Sequence, residues 1–203
     1  LGQDSKDKSV VAFTIGLSLV VIFMLAVYRM AGFVADVALL VYVLILLGIL
    51  NMLHATLTLP SVAGVILSIG MAVDANVIIF ARIREELAAG RTVKSAIKEG
   101  FRRALSAIVD GNVTTLIAAA VLLWRGSGTV KGFAQTLSLG IVLSMFTALV
   151  VTKLALNALY SIGFQSEKLY GKAKPPKKIN FVKKKMVCII CSLAVIAAGF
   201  VAM

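Results

Sequence analysis

The chain has few charged residues and few of the side chains that build disulfide or metal scaffolds. Of its 203 residues, 15% are charged, and it contains two cysteines, one histidine and three prolines. A soluble domain carries about 25% charged residues. This composition therefore excludes a soluble globular enzyme, and it excludes a disordered chain and a disulfide-rich fold as well. Cys188 and Cys191 lie inside an apolar run, which favours small apolar fillers over a redox or zinc site.

Apolar residues dominate instead, at 60% of the chain, with a mean hydropathy of +1.00. A membrane-spanning helix needs about 20 mostly apolar residues. Six continuous runs approach or exceed that length, and they cover residues 9–28, 33–53, 57–80, 104–124, 132–162 and 186–203. Because the runs do not alternate in short segments, they predict helices and not a barrel. The predicted fold is all-α, a polytopic membrane helix bundle.

Charge divides the connections between these runs into two kinds. Residues 81–103 carry seven Lys and Arg against three Glu, and residues 165–185 carry eight Lys against one Glu. By the positive-inside rule these connections are cytoplasmic, so the start of the chain is extracytoplasmic. Most of the net charge of +12 thus comes from the cytoplasmic connections. We therefore expect no nucleic-acid partner.

The same pattern predicts the domain organisation. Residues 1–8 end an extracytoplasmic segment, and residues 9–162 form a five-helix transmembrane module. A basic cytoplasmic linker, 163–185, precedes a sixth helix at 186–203. Within the module, loop 81–103 has apolar residues at helical spacing and a break at Gly90, which predicts two short amphipathic helices at the cytoplasmic surface. They form either a solvated hairpin or a lever that contacts a partner.

Two acids lie deep within the apolar runs, where a charge costs at least about 2.5–3.5 kcal/mol. Asp74 precedes the cytoplasmic end of its run by six residues, and Asp110 follows the start of its run by a similar distance. At 1.5 Å per residue both carboxyls lie roughly 10 Å deep on neighbouring antiparallel helices. Such acids usually face a bundle interior. Asp36 is a weaker candidate because it can reach the interface.

Polar residues surround both acids along the helices. Asn76 and Asn112 each follow an acid by two residues, while Ser106, Thr114 and Thr115 lie within about a turn of Asp110. Two carboxyls among hydroxyls and amides that hold water are typical of a proton relay. The alternative is that each acid merely hydrogen-bonds a neighbouring helix; two acids at one depth favour transport.

Residues 57–60, 69–77 and 110–117 read LTLP, IGMAVDANV and DGNVTTLI. These motifs resemble the SecD and fused SecDF family over residues 1–159, and residues 178–182 resemble the opening of a SecF half. The resemblance implies half of a resistance-nodulation-division-type transmembrane domain in the cytoplasmic membrane. The resemblance implies that Asp74 is the protonation site. It also implies that Asp110 and Thr114 complete the proton path.

The resemblance also implies a function and partners. The family promotes polypeptide export with the proton motive force, without nucleotide hydrolysis, so the chain is expected to be no enzyme and to use protons and no cofactor. Its partners are a SecF-like half, the SecYEG translocon, membrane lipids, and an exported polypeptide that a further extracytoplasmic domain captures. Two alternatives stay open: another exporter of the superfamily for small molecules or lipids, and a scaffold subunit that moves no protons.

Overall fold

The computed structural model describes residues 2–54, 58–164 and 166–170, with single positions at 186, 189 and 192, and the regular structure in these ranges is helical. The helices are α1 (Gly2–Tyr28), α2 (Met30–Met52), α3 (Leu59–Ala88), α4 (Val93–Arg125), α5 (Gly128–Phe146) and α6 (Thr152–Ser161). A π-helical turn, Thr147–Val151, joins α5 to α6, and a 3-10 turn spans Glu167–Tyr170.

Four helical stretches are long and apolar enough to cross a membrane: Met30–Met52, Leu59–Ala88, Val93–Arg125 and Gly128–Ser161. Thr14–Tyr28 is a shorter apolar helix. The predicted fold class, an all-α polytopic membrane bundle, is confirmed. The chain separates into two compact units, 1–173 and 174–203. The sixth predicted helix falls in the second unit, almost wholly outside the described residues, so it stays a prediction along with the domain boundaries.

Helix α3 starts at a capped turn that the sequence encodes locally. The Thr58 hydroxyl accepts a hydrogen bond from the Ser61 N–H at 3.4 Å, and Pro60 lies in the first turn, where no N–H is needed. From there α3 packs against α5 through small residues. A Cβ on Gly64 would lie 2.9 Å from the Phe133 carbonyl, so only glycine permits this approach.

The predicted short helices in loop 81–103 are instead the ends of α3 and α4. Helix α3 continues to Ala88, a turn with Gly90 at φ +83° follows, and α4 begins at Val93. We call residues 81–103 the α3–α4 hairpin. Its apolar residues are buried against the protein and do not lie on a membrane surface; they are Ile83, Leu87, Val93, Ile97 and Phe101.

The segment after α6 is also more ordered than a linker starting at 163 implies. Tyr170 is buried in the main core, and its hydroxyl donates to the Phe164 carbonyl at 3.1 Å. Burial, and secondarily the neighbouring Tyr160, raises the pKa of the Tyr170 hydroxyl. Residues 166–170 therefore pack with the helices of the first compact unit. The remainder of the predicted linker lies outside the described residues.

Candidate functional site

Asp74 lines a cavity between α3 and α4. The cavity has a volume of about 180 Å³. Its walls come from one face of each helix and consist of Met71, Asp74, Ala75, Ile78, Ala107, Ile108, Gly111 and Asn112. A water molecule takes about 30 Å³ of liquid, so the space holds several. Asp74 is the one ionisable side chain among these lining residues.

Asn112 supplies the second polar group of the cavity. It is buried, and its amide nitrogen donates to the Ile108 carbonyl at 2.7 Å. Its Oδ1 atom is buried and has no hydrogen-bond partner in the described part of the chain. A buried carbonyl oxygen without a donor is costly. The Asn112 side chain lies beside Asp74 among the residues that line the cavity.

Asp110 lies near this cavity along α4 but is not among its lining residues. Its carboxylate accepts a hydrogen bond from Ser106 Oγ at 3.2 Å. The Thr114 hydroxyl donates to the main-chain carbonyl of Asp110 at 2.8 Å, and Thr115 donates to the Gly111 carbonyl at 3.1 Å. The structure thus pairs Ser106 with the acid, whereas both threonine hydroxyls are bonded to their own helix.

Asn76 occupies the opposite side of α3 from Asp74. Two residues along a helix turn about 200°, and Asn76 is buried where Asp74 is exposed. Its Oδ1 accepts a hydrogen bond from Thr152 Oγ1 at 2.8 Å, and its amide donates to the Ala72 carbonyl at 3.3 Å. Of its two predicted tasks, ordering water or packing helices, this geometry serves packing.

The expectation that both acids face the bundle interior is wrong for the five-helix unit. Asp74 and Asp110 are exposed on its surface, as are Ser106 and Thr114. The interior faces of α3 and α4 are mostly apolar, and their buried polar or charged residues are Ser61, Ser68, Asn76, Glu86 and Asn112. Asp36 departs from expectation in the other direction: both its carboxylate oxygens are buried, without a hydrogen-bond partner among the described residues, so it does not reach the interface.

Sequence reasoning missed the buried polar contacts that hold α3 in place. Tyr42 donates to Ser68 Oγ at 2.9 Å, and Thr152 donates to Asn76. Both pairs join residues far apart in the chain, so no local spacing signals them. Across the described residues, no group of three His, Cys, Asp or Glu side chains could hold a metal ion.

Fold and site together define the class: a polytopic α-helical membrane protein with a carboxyl-lined cavity between two spanning helices. A family model for the C-terminal part of the protein export membrane proteins SecD and SecF matches residues 1–161. The chain belongs to this family.

Two relatives are protein translocase subunits SecD. That of Acidaminococcus fermentans is 56% identical over 174 residues, covering 86% of this chain and 42% of the relative. That of Dictyoglomus turgidum is 54% identical over 162 residues, covering 80% of this chain and 41% of the relative. The chain therefore spans less than half the length of these curated relatives.

Two solved structures share the fold. The crystal structure of SecDF, a translocon-associated membrane protein from Thermus thermophilus, matches with a TM-score of 0.81 and 38% identity, covering 98% of this chain and 28% of that one. A SecDF structure in a super-membrane-facing form matches with a TM-score of 0.73 and 38% identity, covering 95% of this chain and 26% of that one.

Proposed function

We propose that this chain is the proton-conducting membrane segment of a translocase that uses the proton motive force to promote polypeptide export across the cytoplasmic membrane. One observation carries the proposal: Asp74 and Asn112 line one cavity between two spanning helices. A carboxyl at a cavity that holds several waters within a membrane is typical of proton pathways. The names of the SecD and SecDF relatives support the link to protein export.

In this mechanism Asp74 binds and releases the transported proton. A water in the cavity takes up a proton from one side of the membrane as it passes a proton to the Asp74 carboxylate, and the neutral acid later releases its proton toward the other side. Asp110, held by Ser106 at 3.2 Å, is the second carboxyl of the path. The Thr114 hydroxyl completes the path when it turns from the Asp110 carbonyl. Asn112, with Thr115, orders the water, and no bound cofactor takes part.

The exposed acids call for a partner in the membrane. A charged side chain at membrane depth faces protein or a water-filled cavity, not lipid. We propose that a SecF-like half covers the face of α3 and α4 that carries Asp74 and Asp110, while lipid contacts the outward apolar surface. The SecYEG translocon and the exported polypeptide are the other partners. The polypeptide binds an extracytoplasmic domain, and the basic α3–α4 hairpin lies in the cytoplasm.

Replacing Asp74 with Asn tests the proposal in a complete translocase that carries this segment. The amide keeps the shape of the side chain but binds no transported proton, so we expect export driven by an imposed proton gradient to fall at least tenfold. Export of a reporter polypeptide into membrane vesicles, with and without a protonophore, measures this. Asp110→Asn should also reduce the part of reporter export that depends on the proton gradient, but by less than Asp74→Asn does.

Glu85→Gln is the control, since it makes the same carboxyl-to-amide change at an exposed position of the α3–α4 hairpin, away from the cavity. It should leave gradient-driven export within about twofold of the parent. If Asp74→Asn exports as well as the parent, the proton relay is wrong and a scaffold role is favoured. If gradient-driven flux persists for small molecules but not polypeptides, the chain belongs to another exporter.

A further inference from the structure

A single hydrogen bond links the helix that carries Asp74 to a break in the helix beyond α5. Thr152 Oγ1 donates to Asn76 Oδ1 at 2.8 Å, between residues 76 positions apart. Asn76 is 4% exposed and Thr152 is fully buried. Because the pair is shielded from water, a lost partner here cannot be replaced by solvent.

The π-helical turn brings Thr152 to this position. The Thr152 N–H donates to the Thr147 carbonyl, five residues back, where an α-helix would use a carbonyl four residues back. The extra residue rotates the following chain by about 100° relative to a regular helix. Thr152 therefore stands where an uninterrupted helix would put Val151. The turn therefore places the Thr152 side chain opposite Asn76 in place of Val151. The two side chains have nearly the same shape, but threonine carries a hydroxyl.

The orientation of Asp74 depends on the same helix. Asp74 and Asn76 project from nearly opposite faces of α3, so the helix acts as a rigid arm between the buried pair and the cavity. A rotation of α3 that breaks the bond to Thr152 moves the Asp74 carboxyl along the cavity wall. Asn76 thus couples the rotation of α3, and with it the position of the Asp74 carboxyl, to the Thr152 hydroxyl.

We propose that Asn76 and Thr152 are positioning residues that hold the Asp74 carboxyl at its cavity, with the π-helical turn as the device that presents the Thr152 hydroxyl. This inference rests on the proposed function, in which Asp74 carries the proton. Neither residue touches the proton path; each acts through the rotation of α3. The other side chains lining the cavity are neutral, and Asp110 is the nearby acid on α4.

Thr152→Val and Thr152→Ser form the matched pair of tests in the complete translocase. Valine keeps the shape and removes the donor, which leaves Asn76 Oδ1 buried and unpartnered; serine keeps the donor. We expect Thr152→Val to shift the pH midpoint of gradient-driven export by at least one unit and to lower export at neutral pH about fivefold or more. Thr152→Ser should match the parent within twofold in level and midpoint.

A second measurement, disulfide cross-linking, detects a shift of α3 relative to α4 and does not depend on transport. Met71 and Ala107 line the cavity from α3 and α4, so cysteines at both positions report the helix spacing through their disulfide formation rate. Cys188 and Cys191 are first replaced by Ser. In this background Thr152→Val should change the cross-linking rate at least threefold, and Thr152→Ser should not.

A double variant, Asn76→Leu with Thr152→Val, covers the case in which Thr152→Val folds poorly. Removing both partners leaves no unpaired group, so folding should recover, yet the shifted pH midpoint should remain. An unchanged midpoint and cross-linking rate in any folded variant lacking the hydrogen bond would overturn the inference. Failure of Asp74→Asn to affect export would overturn the proposed function alone, because the cross-linking result does not depend on it.

Discussion

Gly100 lets α4 approach α3 closely inside the α3–α4 hairpin. A Cβ at this position would lie 2.9 Å from the Ile83 N atom and 3.0 Å from its Cα. Both are backbone atoms, so no side-chain movement relieves the contact. The small residue thus sets the spacing of the two helices near the turn, and with it the path of α4 toward Asn112 and the cavity.

Gly100→Ala should destabilise the protein by about 1–2 kcal/mol, because overpacking costs about 1–3 kcal/mol and the better helix propensity of alanine offsets part of it. The midpoint of chemical unfolding in detergent micelles measures this. Gly48→Ala is the control, since nothing lies within 4 Å of its added Cβ; it should be neutral or stabilising by up to about 1 kcal/mol. Equal midpoints for both variants would contradict the close approach at Gly100.

At the scale of elements, the hairpin is held shut by a buried carboxylate. Glu86 on α3 is 3% exposed. It accepts from Arg91 Nε and Arg103 Nη1, each at 2.8 Å, so one side chain joins α3, the turn and α4. Both arginines are about half exposed and keep part of their hydration. The arrangement explains why charged residues here coexist with a buried apolar core: the charges lie at its rim.

Glu86→Gln should destabilise the hairpin by about 2 kcal/mol, below the 3–5 kcal/mol of a fully buried pair because the arginines stay partly solvated. Hydrogen exchange of the amides in 81–103 measures the local opening. The neighbouring Glu85 pairs with Arg82 at 2.7 Å with both side chains about half exposed, so Glu85→Gln should change stability by no more than about 0.5 kcal/mol. Comparable exchange rates in the two variants would show that the Glu86 contacts do not hold the hairpin.

At the scale of the whole molecule, the two acids of the proposed proton path lie on the surface of the first compact unit. In this unit the helices α3, α4 and α5 pack against one another. Ionisable side chains in spanning helices almost always face a bundle interior or a water-filled cavity, so these two acids call for a protein cover. The proposed SecF-like half would provide that cover and convert an exposed face into an enclosed path.

Cysteine labelling distinguishes a covered face from an open one. In the complete translocase, Asp74→Cys and Asp110→Cys should react with a maleimide at least fivefold more slowly than after removal of the SecF-like half. Lys94→Cys, on the exposed part of the hairpin, should react at the same rate in both states. Equal rates at Asp74→Cys with and without the other half would mean that this face is not the interface.

The positions of the spanning segments could be predicted because they depend on composition alone. Runs of apolar residues marked four helices that the structure also has, although α3 and α4 extend further, since their amphipathic ends pack on each other beyond the apolar runs. The π-helical turn and the docking of Tyr170 could not be predicted. Each depends on a contact with a distant part of the fold, which leaves no periodic signal.

The sequence by itself determined that this is a membrane protein of helices and that Asp74 and Asp110 are its unusual residues, because the cost of a charge in an apolar run is a local property. Only the tertiary structure decided which way these residues face. Asn76 and Asn112 each follow an acid by two residues, yet Asn112 lines the cavity and Asn76 bonds Thr152 on the far side of α3. Their different roles follow from the rotation of each helix about its axis, which long-range packing sets.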